Sequence, residues 1–171
     1  MKIRDLTVCA VFAAIFALCS WIHIPGPVPF TMQTFGIYLA IFLLGGKRST
    51  ISTVVYLILG LVGLPVFSGF QGGASALLGA TGGYLFGFAA MSVIYWVLSE
   101  KKVNKVISAV IGTIVCYVIG TVWYAVIYLG GGAAGIFTAL MQCVLPYILP
   151  DAIKLTLAYI VSKRIKKSTD F

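Results

Sequence analysis

Two residues in this chain place ionisable groups where they are costly. Asp151 and Lys154 remain inside an apolar run once the other charges are assigned to helix ends. On insertion scales each costs roughly 2.5–3.5 kcal/mol near a helix centre, so the pair persists only with compensation. A spacing of i, i+3 sets both on one helical face, where they partly neutralise each other. Asp151 stands 12 residues before Lys163, which at about 1.5 Å per residue is roughly 18 Å from a basic helix end. Pro150 fits the first turn of a helix, which predicts Asp151 close to an N-terminus where the dipole favours an anion. An acceptor beside a donor suits a ligand with both NH groups and a carbonyl or carboxylate, held in a cavity shut off from water. A self-paired structural salt bridge, or a Lys154 that snorkels to the surface, would explain the same residues without a ligand.

A second cluster lies on the same expected side: Gly69, Gly72, Gly73, Gly79, Gly82 and Gly83 within Ser68 to Gly83. Glycine lets backbone approach a ligand closely, while Gln71, Ser75 and Thr81 add neutral polar groups. Tyr84 adds a flat apolar face with a hydroxyl tip. Gln33, at the start of the second apolar run, is a further polar candidate. A flexible outward loop accounts for the glycines equally well.

Motifs for other chemistries are missing. Ile41 occupies the first glycine position of a GxxxxGK[ST] pattern upstream of Gly46-Lys47, so no P-loop is formed, and there is no HExxH or GxSxG. No second carboxylate sits in the apolar runs to pair with Asp151. Cys9, Cys19, Cys116 and Cys143 lack CxxC spacing, and the single His23 completes no metal site with them. The expectation is a binding protein without enzymatic activity, metal or cofactor.

These groups must be positioned by membrane-spanning elements. Apolar residues are 61% and charged residues 9% of the 171, against roughly 45–50% and about 25% in soluble domains. At roughly 20 apolar residues per span, five to seven crossings fit and no separate soluble domain does, so residues 1–171 form one transmembrane domain. Runs at 6–22, 35–44, 51–62, 84–98, 106–129 and 145–161 predict an all-α membrane protein, a six-transmembrane-helix bundle. The second and third look short for full spans. The first is preceded by Lys2 and Arg4, outlasts a signal-peptide core and has no clean cleavage site, so a retained helix is expected. The Pro25–Pro29 segment, including Pro27, stops it.

Charge placement sets the orientation. Lys2 and Arg4, Lys47 and Arg48, Lys101, Lys102 and Lys105, and Lys163, Arg164, Lys166 and Lys167 fall at alternate helix ends. Eleven of the twelve basic residues therefore share one side, which predicts cytoplasmic N and C termini and outward loops around Gly26, Gly72 and Gly132. The 12 basic against 4 acidic residues record this topology and not nucleic-acid binding. In the first helix Ala10 and Ala14, and Ala13 and Ala17, stand four apart, a small-residue ladder that serves internal packing or docking to another membrane subunit. Two rivals to solute capture stay open: a stand-alone ion-coupled secondary carrier, although neither internal repeat nor carboxylate cluster is visible, and a scaffold that binds no solute.

Four ordered motifs carry a family resemblance. Val28-Pro-Phe-Thr-Met-Gln-Thr-Phe-Gly36, Gly60-Leu-Val-Gly-Leu-Pro-Val-Phe-Ser-Gly69, Thr81-Gly-Gly-Tyr-Leu85 and the Asp151, Lys154 pair resemble the BioY family along essentially the whole chain. These are the biotin-specific S components of energy-coupling factor (ECF) transporters. The resemblance implies a multi-pass protein of a prokaryotic plasma membrane that binds biotin on the outward side. It also implies docking onto a transmembrane coupling subunit driven by two ATPase subunits. Asp151 would then accept from the ureido NH groups and Lys154 donate to the carbonyl or carboxylate. Gln71, Tyr84, Thr81 and Gln33 would line the pocket, and the Ala10, Ala13, Ala14, Ala17 ladder would meet the coupling subunit. Ala80 stands where the family often has proline, and Pro150 directly precedes the aspartate.

Overall fold

A computed structural model describes residues 3–26 and 28–168. Lys2 and Pro27, named above for topology and for the proline turn, lie outside the described residues. The chain runs through α1 (Ile3–Trp21), a two-residue hairpin of β1 (His23–Ile24) and β2 (Phe30–Thr31), α2 (Gln33–Leu44) and α3 (Gly46–Leu61). A 3₁₀ turn (Ser68–Phe70), α4 (Ala74–Leu77), α5 (Gly82–Glu100), α6 (Lys105–Tyr128), α7 (Gly132–Cys143) and α8 (Leu145–Ser168) follow. Helices α1, α5, α6 and α8 are long and apolar enough to cross a membrane, whereas α2 and α7 are shorter apolar helices.

Beside an apolar core, small polar side chains are buried and large apolar ones face outward. Ser20, Ser49, Ser52, Thr53, Ser92 and Ser108 are buried, while Ile114, Val118, Ile148 and Leu149 are exposed. Lipid is as apolar as leucine, so helices in a bilayer gain by close packing of small residues and by internal hydrogen bonds. The contacts follow that rule. A Cβ on Gly46 would come 2.2 Å from the Trp96 Cα, and one on Gly112 would come 2.9 Å from the Met91 side chain. Thr53 Oγ1 and Ser92 Oγ, 3.2 Å apart, join α3 to α5. Tyr38, Ile41, Tyr56, Met91 and Tyr95 fill the centre.

Basic helix ends share one end of the molecule. Arg48 of α3 pairs with Asp5 of α1 at 2.8 Å, and the Asn104 side chain caps α6 by accepting from the Val106 N–H at 2.9 Å. At the other end, the Trp21 indole donates to the Pro65 carbonyl (2.8 Å) and the Ser20 hydroxyl to that of Val66 (2.6 Å). Both bonds hold the segment after α3 against the end of α1.

Several boundaries differ from the sequence reading. Helix α3 starts at Gly46, five residues early, because Gly45 alone joins it to α2 at φ 81°, a left-handed conformation that glycine adopts at low cost. The outward loop expected around Gly132 is the helix α7, introduced by three consecutive left-handed glycines, Gly130 to Gly132. Helix α8 begins at Leu145 with Pro146 second, so Pro150 and Asp151 lie in its second turn. The dipole at a helix start therefore acts on Asp151 less than expected.

Candidate functional site

A cavity of about 700 Å³ lies among β1, α2, α4, α5, α6 and α8, away from the basic helix ends. Asp151, Lys154, Gln33, Gln71, Thr81 and Tyr84 all line it, although their positions are spread over 121 residues of sequence. Helix α8 supplies the charged pair, α2 begins at Gln33, the stretch between α3 and α5 brings Gln71 and Thr81, and the first turn of α5 brings Tyr84. Glycines set that stretch in place. A Cβ on Gly60 would come 2.0 Å from the Phe67 ring, and one on Gly72 would come 2.2 Å from the Leu64 carbonyl oxygen.

Asp151 and Lys154 are 4% and 5% exposed and bonded to each other, Nζ to Oδ1, at 2.9 Å. The ammonium also donates to the Thr31 carbonyl at 2.7 Å and to Thr34 Oγ1 at 3.1 Å. Its three donors are thereby all engaged. The Phe30 ring lies under it, 3.9 Å from nitrogen to centroid, a cation–π contact that offsets part of the desolvation. The hairpin is thus tied to α8 by this lysine and also by Tyr147, whose ring stacks on Phe30 and whose hydroxyl donates to the Val28 carbonyl.

The carboxylate is satisfied differently on its two oxygens. Oδ1 accepts from Lys154 and from the Thr34 hydroxyl at 2.9 Å, whereas among the described residues Oδ2 accepts only from the Tyr117 hydroxyl at 2.6 Å. A carboxylate has about four acceptor positions, so one on Oδ2 is left for a donor arriving in the cavity. An incoming acceptor must instead displace a partner of Lys154. The geometry leaves Asp151 able to accept one more donor and commits Lys154 to ordering the aspartate and the hairpin.

The remaining candidates contribute walls. Gln33 donates from its amide to the Tyr56 hydroxyl at 2.9 Å, which in turn donates to the Val66 carbonyl at 3.0 Å. The Tyr84 hydroxyl, expected to be a polar tip for the ligand, points to the Cys143 carbonyl (3.3 Å) and Thr121 (3.4 Å). Gln71 is exposed at the rim and Thr81 half-buried.

Sequence reasoning missed Thr34, Tyr117 and Phe30. Thr34 follows Gln33, and its hydroxyl was the available clue. Tyr117 lies in mid α6 among apolar residues, where a phenol at the i+4 position from Thr113 was the only hint. The alanine ladder divides. Ala10 and Ala14 are exposed, but Ala13 and Ala17 are buried in the core, which withdraws these two from any docking face. They serve the close packing of α1 instead.

A family model described as the BioY family matches residues 1–171. The chain is 39% identical over 168 residues to a protein of Thermotoga maritima named biotin transporter BioY, covering 96% of each. It is 36% identical over 170 residues to a probable biotin transporter BioY of Pyrococcus horikoshii, covering 99% of this chain and 100% of that protein. The solved structure of the S component for biotin from an ECF-type ABC transporter superposes with a TM-score of 0.82 at 28% identity, covering 97% of this chain and 92% of that one.

Proposed function

We propose, from the premise that this chain belongs to the BioY family, that it is the biotin-capturing S component of an ECF-type transporter. One observation carries the reading: a buried carboxylate with an acceptor position left on Oδ2, held at the wall of a cavity of about 700 Å³. That volume lies within the usual range for small-molecule sites. A ureido NH of biotin would donate to Asp151, and its ring system would lie against the Tyr84 and Thr81 wall. Gln71 would close the rim, and Gln33 would brace Tyr56 behind it. Lys154 would hold Asp151 correctly turned, with its own bond to the ligand formed only by releasing Thr31 or Thr34.

Supporting the orientation is the gathering of basic helix ends opposite the cavity, which reads as six spans with both termini cytoplasmic and the site facing outward. The chain would sit in the plasma membrane of a prokaryote. Energy for uptake would come from a transmembrane coupling subunit and two ATPase subunits, met through the exposed Ala10 and Ala14 face of α1.

The test is biotin calorimetry on the detergent-purified chain beside Asp151→Asn. Tight binding that falls about ten- to a hundred-fold in the variant is expected, since charged hydrogen bonds are worth roughly 1.5–3 kcal/mol each. No binding by the intact chain would remove biotin as its ligand. Uptake into vesicles without ATPase subunits, driven by an ion gradient, would point to a secondary carrier instead.

A further inference from the structure

A second cavity, of about 610 Å³, lies on the flank of the bundle between α6, α7 and α8. Its walls are almost wholly apolar, with Ile114, Val118, Val122, Leu140 and Ile148 among them, and these five are exposed. Helices α6 and α8 meet sparsely here, α7 bridging them. Its inner wall is shared: Tyr38, Thr113, Tyr117 and Asp151 line this cavity and the ligand cavity alike, with their polar atoms turned to the ligand side.

Two hydrogen-bonded pairs form that common wall. Tyr38 of α2 meets Thr113 of α6, with their oxygens 2.8 Å apart, and the Tyr117 hydroxyl of α6 donates to Asp151 Oδ2 of α8 at 2.6 Å. The Tyr117 ring therefore stands between a polar site and an apolar pocket large enough for a short alkyl chain. We propose that Tyr117 is a specificity-determining residue of the binding site, a partition that sets the size of ligand accepted on the Asp151 side. Removing its ring joins the two cavities and admits ligands carrying an apolar extension. The inference rests on the biotin reading above.

Each methylene taken from water into an apolar pocket is worth about four-fold in binding, so a butyl group seated fully in the flank cavity gains on the order of 100-fold. The experiment compares dissociation constants of biotin, biotin butylated on a ureido nitrogen, and biotin butylamide, for the purified wild type and Tyr117→Ala. Tyr117→Leu is measured alongside, and it decides the matter if the alanine variant does not fold. The wild type is expected to disfavour both probes. The smaller residues should narrow the gap to biotin at least ten-fold for one probe, and the probe that gains tells which end of the ligand faces Tyr117. Tyr117→Phe keeps the ring and loses the hydroxyl, so it should weaken all three ligands without narrowing the gap. Adding Ala152→Phe, which fills the flank cavity from its exposed side, should cancel the gain while leaving biotin affinity unchanged.

The proposal is overturned if the smaller residues bind biotin and neither probe gains, or if Tyr117→Phe narrows the gap as much as Tyr117→Ala. It is also overturned if folded Tyr117→Ala loses every ligand, because Tyr117 would then supply affinity and not size discrimination. Failure of the wild type to bind biotin is a separate result that removes the preceding reading.

Discussion

Replacing Lys154 with methionine isolates the question of whether the buried pair is structural or functional. The substitution keeps an apolar stem of similar length and removes three bonds, to Asp151, Thr31 and Thr34. It strands a carboxylate that is 4% exposed, held only by the Thr34 and Tyr117 hydroxyls. Breaking a buried pair by removing one partner costs about 3–5 kcal/mol, because the remaining charge is uncompensated. For a chain of this size each kcal/mol moves the melting temperature by about 2–4 °C, so a fall of roughly 6–20 °C is expected. The double variant Asp151→Asn with Lys154→Gln removes both charges and keeps hydrogen-bonding groups. It should recover most of that loss, since neutral replacement of a buried pair is often close to neutral in stability. Biotin binding should not recover with it, because the acceptor on Asp151 is gone. The assay is thermal unfolding in detergent, paired with calorimetry on the same preparations. A double variant that binds biotin like the wild type would refute the reasoning and make the pair a structural one. Lys154→Met melting within 2 °C of wild type, a shift that corresponds to about 1 kcal/mol or less, would also refute it, by showing that the pair holds little stability.

Three further outcomes follow from single contacts. Thr34→Val keeps the shape and removes the hydroxyl that donates to Asp151 and accepts from Lys154. It should weaken biotin binding by about ten- to a hundred-fold, while Thr34→Ser stays near wild type; equal losses in both, seen by calorimetry, would contradict the hydroxyl's role. Gly60→Ala would drive a methyl to 2.0 Å from the Phe67 ring. Overpacking of this kind costs about 1–3 kcal/mol and should displace Phe67 from the cavity wall, lowering both melting temperature and affinity. Leucine at exposed Ala10 and Ala14 should leave biotin binding intact and reduce co-purification with the coupling subunit. Leucine at Ala13, 2% exposed, should instead destabilise the isolated chain by roughly 1–3 kcal/mol, and the reverse pattern would place the docking face elsewhere.

Helix existence was legible wherever apolar runs were long, as in α1, α5, α6 and α8, because the bilayer demands a length that hydropathy reports directly. It was hidden at α7. Its sequence, Gly132 to Cys143, opens with glycines and alanines and reads as loop by local composition, yet it packs between α6 and α8. The start of α3 was obscured for a related reason: Lys47 and Arg48 look like a solvated turn, but they occupy a helix's first residues after a single left-handed glycine. The charged residues Asp151 and Lys154 stood out because an uncompensated charge in an apolar run needs a cause. The neutral partners Thr34 and Tyr117 did not, since hydroxyls are common in apolar helices and cost little until they are placed.

By itself, the sequence was sufficient to identify a membrane protein, the polarity of its helix ends and the two ionisable groups that topology leaves unexplained. Those are properties of local composition and of the energy of charge in hydrocarbon. Which oxygen of Asp151 keeps an acceptor position, that Lys154 is saturated by Thr31 and Thr34, and that Ala13 faces inward while Ala10 faces out were decided only in three dimensions. Each depends on contacts between residues as far as 123 positions apart, and no spacing along one helix can determine what a neighbouring helix brings to its face.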